Sequence, residues 1–82
     1  MVTNSEFARL TGCDYTMASK IRNGSRKPST GLFTRIILVF DLDAKEAVAA
    51  YAGGAVLFSD FLRRNVFDAS SPAEDDTGAE IA

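Results

Sequence analysis

Thr3-Asn-Ser-Glu-Phe-Ala-Arg-Leu-Thr-Gly-Cys-Asp-Tyr-Thr-Met-Ala-Ser-Lys-Ile-Arg-Asn-Gly24 is the stretch whose reading decides the fold. Thr3 has the hydroxyl of an N-cap, and Glu6 three residues later completes a capping box, so a helix starts here. Phe7 and Leu10 give it an apolar stripe, and Gly12 stops it. Asp14 offers a carboxylate at the next N-cap and opens a second helix with Met17, Ala18 and Ile21 on its inward side. Asn23-Gly24 closes that helix. Two helices crossing through a short turn need a small residue where they touch, a glycine in the turn and an apolar lock on the second helix. Ala8, Gly12 and Ile21 meet these needs, and Cys13 fits as a small buried residue of the turn.

Beyond Gly24, Ser25-Arg26-Lys27-Pro28-Ser29 is polar, basic and broken by proline, hence a loop. Ser29 or Thr30 caps a third helix through Phe40, with Leu32, Phe33, Ile36, Ile37 and Phe40 as core candidates. Asp43 and Glu46 form another capping box for a short helix ending at Gly53-Gly54. A last helix runs from Ala55 to about Phe67. The expected fold is all-α, a small bundle of about five short helices over residues 1–68. Residues 69–82 are expected to form a disordered acidic tail, because they lack the apolar residues that offset the entropy of ordering a backbone.

The chain has 82 residues, 46% of them hydrophobic, enough for one small core. Its one cysteine rules out an intrachain disulfide and fits a reducing cytosol. Nothing in it resembles a signal peptide, and its longest uncharged apolar stretch, 47–58, is well short of the ~20 residues that span a bilayer. The net charge of −2 conceals a gradient. Residues 1–40 carry six cations against two carboxylates, whereas residues 69–82 carry four carboxylates and no cation. That asymmetry predicts a basic binding surface plus an acidic tail.

With Ala18 and Ile21 facing inward, the second helix shows Tyr15, Thr16, Ser19, Lys20 and Asn23 outward, with Met17 at the boundary. Such a polar, mostly uncharged face suits the DNA major groove, where hydroxyls bond base edges and Lys reaches guanine O6 or N7. Tyr15, Thr16, Met17 and Lys20 are the candidate base contacts, Lys20 foremost. Candidates for holding phosphates are Thr3, Asn4 and the first-helix N-terminus, then Ser19, Arg22, Ser25, Arg26, Lys27 and Arg35.

Asn4-Ser-Glu-Phe-Ala-Arg-Leu-Thr-Gly12, Asp14-Tyr-Thr-Met-Ala-Ser-Lys-Ile-Arg-Asn-Gly24 and Arg26-Lys-Pro28 together resemble the Cro and phage-repressor (lambda-repressor-like) helix-turn-helix family, over about residues 2 to 45. The resemblance implies base contacts at Tyr15, Thr16 and Lys20, and phosphate contacts at Asn4, Asn23 and the loop after Gly24. Three features depart from it. The family usually has a helix ahead of the one starting at Thr3, and the last helix is expected to take its place in the core. Ala18 stands where a larger aliphatic is usual. Arg22 stands where glutamate is frequent, which raises local positive charge and directs that residue to phosphate.

The apolar Val56, Leu57, Phe58, Phe61, Leu62, Val66 and Phe67 leave two readings open, replacement of the missing first helix or the seam of a homodimer. Other clusters read as structural. Asp41, Asp43 and Glu46 surround a helix start and suit capping better than metal binding. Gly53-Gly54 is a helix corner, since no Lys or Ser/Thr follows at phosphate-loop spacing. Cys13 has no histidine to activate it as a nucleophile. The sequence therefore predicts a sequence-specific double-stranded DNA-binding regulator, phage or prokaryotic and cytoplasmic, with no catalysis, cofactor, metal, small-molecule ligand or membrane contact. The alternatives are an antitoxin or adaptor whose apolar last helix captures a protein, and an architectural DNA binder such as an excision factor.

Overall fold

Four side-chain caps set the helix starts, and each lies where the sequence predicts it. In the computed structural model, which describes residues 1–67, helix α1 (Asn4–Thr11) begins at Thr3, whose hydroxyl accepts from the Glu6 N–H while the Glu6 carboxylate accepts from the Thr3 N–H. Asp14 caps α2 (Tyr15–Asn23) by accepting from the Met17 N–H at 2.7 Å. Ser29 caps α3 (Thr30–Phe40) and Asp43 caps α4 (Ala44–Ala52) through their N3 amides. Helix α5 (Ala55–Asn65) comes directly after the Gly53-Gly54 corner. The expected acidic tail over 69–82 lies outside the described residues.

Among the described residues the architecture is the expected all-α bundle of five short helices. Helix α1 packs on α2 and α3, and α5 packs on α2 and α4. An isolated parallel bridge joins Val2 to Phe67, with the Val2 N–H donating to the Val66 carbonyl at 2.9 Å. No helix among the described residues is long and apolar enough to cross a membrane.

Two aromatic groups fill the core. Phe7 stacks on Phe40 at a centroid distance of 5.6 Å and meets Phe67 at a tilt at 4.8 Å, tying α1 to the end of α3 and to the segment just beyond α5. Phe33, Tyr51, Phe58 and Phe61 form the second group, with Phe33 and Tyr51 4.0 Å apart. Each fully buried Phe contributes on the order of 1.5–3 kcal/mol from lost apolar exposure, and well-placed ring pairs add about 0.5–1.5 kcal/mol. Of the core candidates on α3, Phe33 and Ile36 are buried, while Leu32, Ile37 and Phe40 pack at the core's edge. Leu10 departs from expectation and is exposed. The buried stripe of α1 runs instead through Asn4, Phe7, Ala8 and Thr11, positions i, i+3, i+4 and i+7.

Helix α5 corrects the expectation for a homodimer seam. Phe58, Phe61, Leu62, Val66 and Phe67 lie inside the monomer's own core, because α5 turns that face onto α2, α4 and the Phe7 ring. They match the other reading, in which the last helix completes the core. Of the seven candidates, only Val56 and Leu57 are exposed, at 63% and 55%.

Candidate nucleic-acid interface

Helix α2 is anchored on one side and open on the other. Ala18 and Ile21 are fully buried, Met17 packs against the core's edge, and Thr16, Lys20 and Asn23 are exposed. Tyr15 and Ser19 are half-buried at the flank of the exposed face. At 100° per residue, Thr16, Lys20 and Asn23 fall within one narrow sector of the helix, opposite Ala18 and Ile21. Three of the four candidate base contacts therefore lie on or beside an open polar face. Met17 is the exception, since its side chain is partly spent on the core.

The turn before α2 is built on Gly12, at φ 81, a conformation that L side chains seldom adopt. Arg35 braces it, its Nη1 donating to the Thr11 carbonyl at 3.0 Å. Beside the turn, the Thr11 hydroxyl donates to the Phe7 carbonyl and lies 3.4 Å from the Cys13 sulfur, which is half-buried.

The turn after α2 ends at Gly24, φ 82, where a Cβ would come within 3.0 Å of the Ser59 hydroxyl on α5. Asn23 organises the first residues of the basic loop, its Oδ1 accepting from both the amide and the hydroxyl of Ser25. The Arg26 and Ser25 amides both donate to the Lys20 carbonyl, so the loop starts against the last turn of α2. Farther on, Tyr51 fixes the loop. Its hydroxyl donates to the Pro28 carbonyl at 2.6 Å and the Lys27 ammonium sits 4.3 Å from its ring centroid. Ser25, Arg26 and Lys27 are all exposed on a loop held at both ends.

The remaining phosphate candidates are placed differently. Asn4 is wholly buried and Arg22 is 7% exposed. Arg22 Nη1 donates to Asn4 Oδ1 at 3.1 Å and its guanidinium lies over the Phe67 ring, 5.3 Å from the centroid. Both are thus withdrawn from the surface and cannot hold phosphate as expected, since reaching it would expose a packed core. Thr3 is half-buried and engaged with Glu6, whose carboxylate already occupies the N-terminus of α1 and opposes a phosphate there. Arg35 is exposed but attached to the turn carbonyl of Thr11.

Two side chains absent from the sequence expectations shape the site. Tyr51 pins the basic loop, and Arg63 donates from Nη1 to the Arg22 carbonyl at 2.9 Å at the end of α2. Both act across more than 20 residues, beyond any local pattern. Compared with known protein families, curated proteins and solved structures, the chain matches none.

Proposed function

We propose that this chain is a sequence-specific double-stranded DNA-binding regulator whose α2 enters the major groove. One observation carries the reading. Helix α2 keeps Thr16, Lys20 and Asn23 on an exposed face, with its apolar side locked in the core and a pinned loop bearing Arg26 and Lys27 directly after it. A rigid polar face next to fixed cations can divide base reading from phosphate holding. Thr16 and Lys20 are the readers, with Tyr15 at the flank. Ser19, Asn23, Ser25, Arg26 and Lys27 are the backbone holders.

Selection of bound duplexes from a random DNA pool by the full chain tests this. A recovered motif supports it, and an unenriched pool contradicts it. An inverted repeat with half-sites about one helical turn apart would indicate a twofold dimer on DNA.

A second reading has its own observation. Val48, Val56 and Leu57 are exposed apolar side chains on α4 and the start of α5. They suit a second copy of the chain or, in an antitoxin or adaptor, another protein. Sedimentation of the chain alone and with candidate partner proteins separates the copy from the foreign partner.

A further inference from the structure

The end of α2 is tied from behind by two polar side chains, Asn4 of α1 and Arg63 of α5, and by one aromatic ring, Phe67. Arg22 donates to Asn4 Oδ1 at the start of α1 and stacks on Phe67 just beyond α5. Its own carbonyl, one of the carbonyls a helix end leaves without an intrahelical partner, accepts from Arg63 of α5. Arg63 also pairs with Asp60 one turn earlier on the same helix. Behind Phe67, the Val2 N–H donates to the Val66 carbonyl, so the segment before α1 closes the same knot.

Buried charge is a poor means of stabilising so small a core, because replacing such groups with well-packed apolar ones is often neutral or stabilising. What a guanidinium supplies is direction, since its planar fork fixes geometry that apolar contact leaves loose. Direction matters for a reading helix. The outer radius of a helix with its side chains is roughly 5–6 Å, so a rotation of about 10° about its axis moves a side-chain tip by about 1 Å. That exceeds the roughly 0.5 Å range over which an N–H···O hydrogen bond keeps good length.

We infer that Arg22, with Arg63 behind it, is a positioning residue. It sets the rotation of α2, and so the aim of Thr16, Lys20 and Asn23, without itself meeting DNA. The inference rests on the reading of α2 as the DNA-reading helix, and its test has one arm without DNA and one with it.

Without DNA, Arg63→Gln removes the tie to the Arg22 carbonyl from a surface position. Amide chemical shifts are expected to move along the whole of α2, including Thr16 and Lys20. Shifts confined to residues 22–24 would overturn the inference whatever the chain binds. With DNA, Arg22→Met keeps much of the buried stem and removes the fork. The preference for the selected duplex over a scrambled one should fall by about tenfold or more, with affinity for the scrambled duplex almost unchanged. Arg22→Lys, which retains the charge, should not restore it. Undiminished discrimination in Arg22→Met would overturn the inference. Should Arg22→Met fail to fold, the same loss is required of Arg63→Gln, and its absence there would be equally decisive. A wild-type chain without any preference would instead remove the DNA reading itself, while the shift experiment still reports on the brace.

Discussion

Arg35 Nη1 lies 3.0 Å from the Thr11 carbonyl and 2.8 Å from where a Cβ on Gly12 would stand. The turn between α1 and α2 thus depends on two things at once, a left-handed residue and a brace passing directly over it. Gly12→Ala strains the backbone by about 1–2 kcal/mol and collides with that brace. Urea unfolding should show a loss of at least that size. Equal stability would contradict this role for the turn.

Lys20 is exposed on α2, and its carbonyl anchors the loop. Lys20→Ala should leave the fold intact and remove preference at one base position, at a cost of about 1–3 kcal/mol in binding. Comparing affinities for single-base variants of the selected site checks this.

Arg26 is predicted to hold backbone and read nothing. Arg26→Ala should weaken all duplexes alike and reduce the slope of log affinity against log salt by about one. A loss restricted to particular sequences would make Arg26 a reader instead.

Phe67 and Leu57 separate core from surface among the apolar residues of the C-terminal segment 55–67. Phe67 is fully buried against Phe7 and beneath Arg22, so Phe67→Ala should cost about 3–5 kcal/mol, a large share of the ~5–15 kcal/mol typical of a domain. Leu57→Asp, on an exposed position in the first turn of α5, should change monomer stability by no more than about 0.5 kcal/mol. If Val56 and Leu57 meet a second copy, that same change should reduce the sedimenting mass to the monomer's.

The helices were legible because their signals are local. Thr3, Asp14, Ser29 and Asp43 each bond an amide three residues on, and Gly12 and Gly24 take the left-handed conformation their positions demand. Fates decided by distant partners were harder to read. Arg22 and Asn4 are polar and look like surface residues, yet they pair across 18 positions. A signal existed: Arg22 is four residues past Ala18, and Asn4 is three and four residues before Phe7 and Ala8, which puts both on inward stripes. Nothing local marks the bond from Tyr51 to Pro28, or tells which of the apolar residues of α5 meet α2 and which meet solvent. The exposed face of α2 was legible in turn, because Ala18 and Ile21 fix its inward side and leave Thr16, Lys20 and Asn23 opposite.

The proposal that the chain meets DNA with α2 and the loop after it is open to a single decisive titration. Amide chemical shifts of the full chain are followed as its selected duplex is added. Perturbations are expected to concentrate at residues 15–27, strongest near Thr16, Lys20, Asn23 and Arg26, with smaller changes at the buried Arg22 and at Arg63. Perturbations centred on Val48, Val56 and Leu57 with α2 undisturbed, or no saturable perturbation, would contradict it.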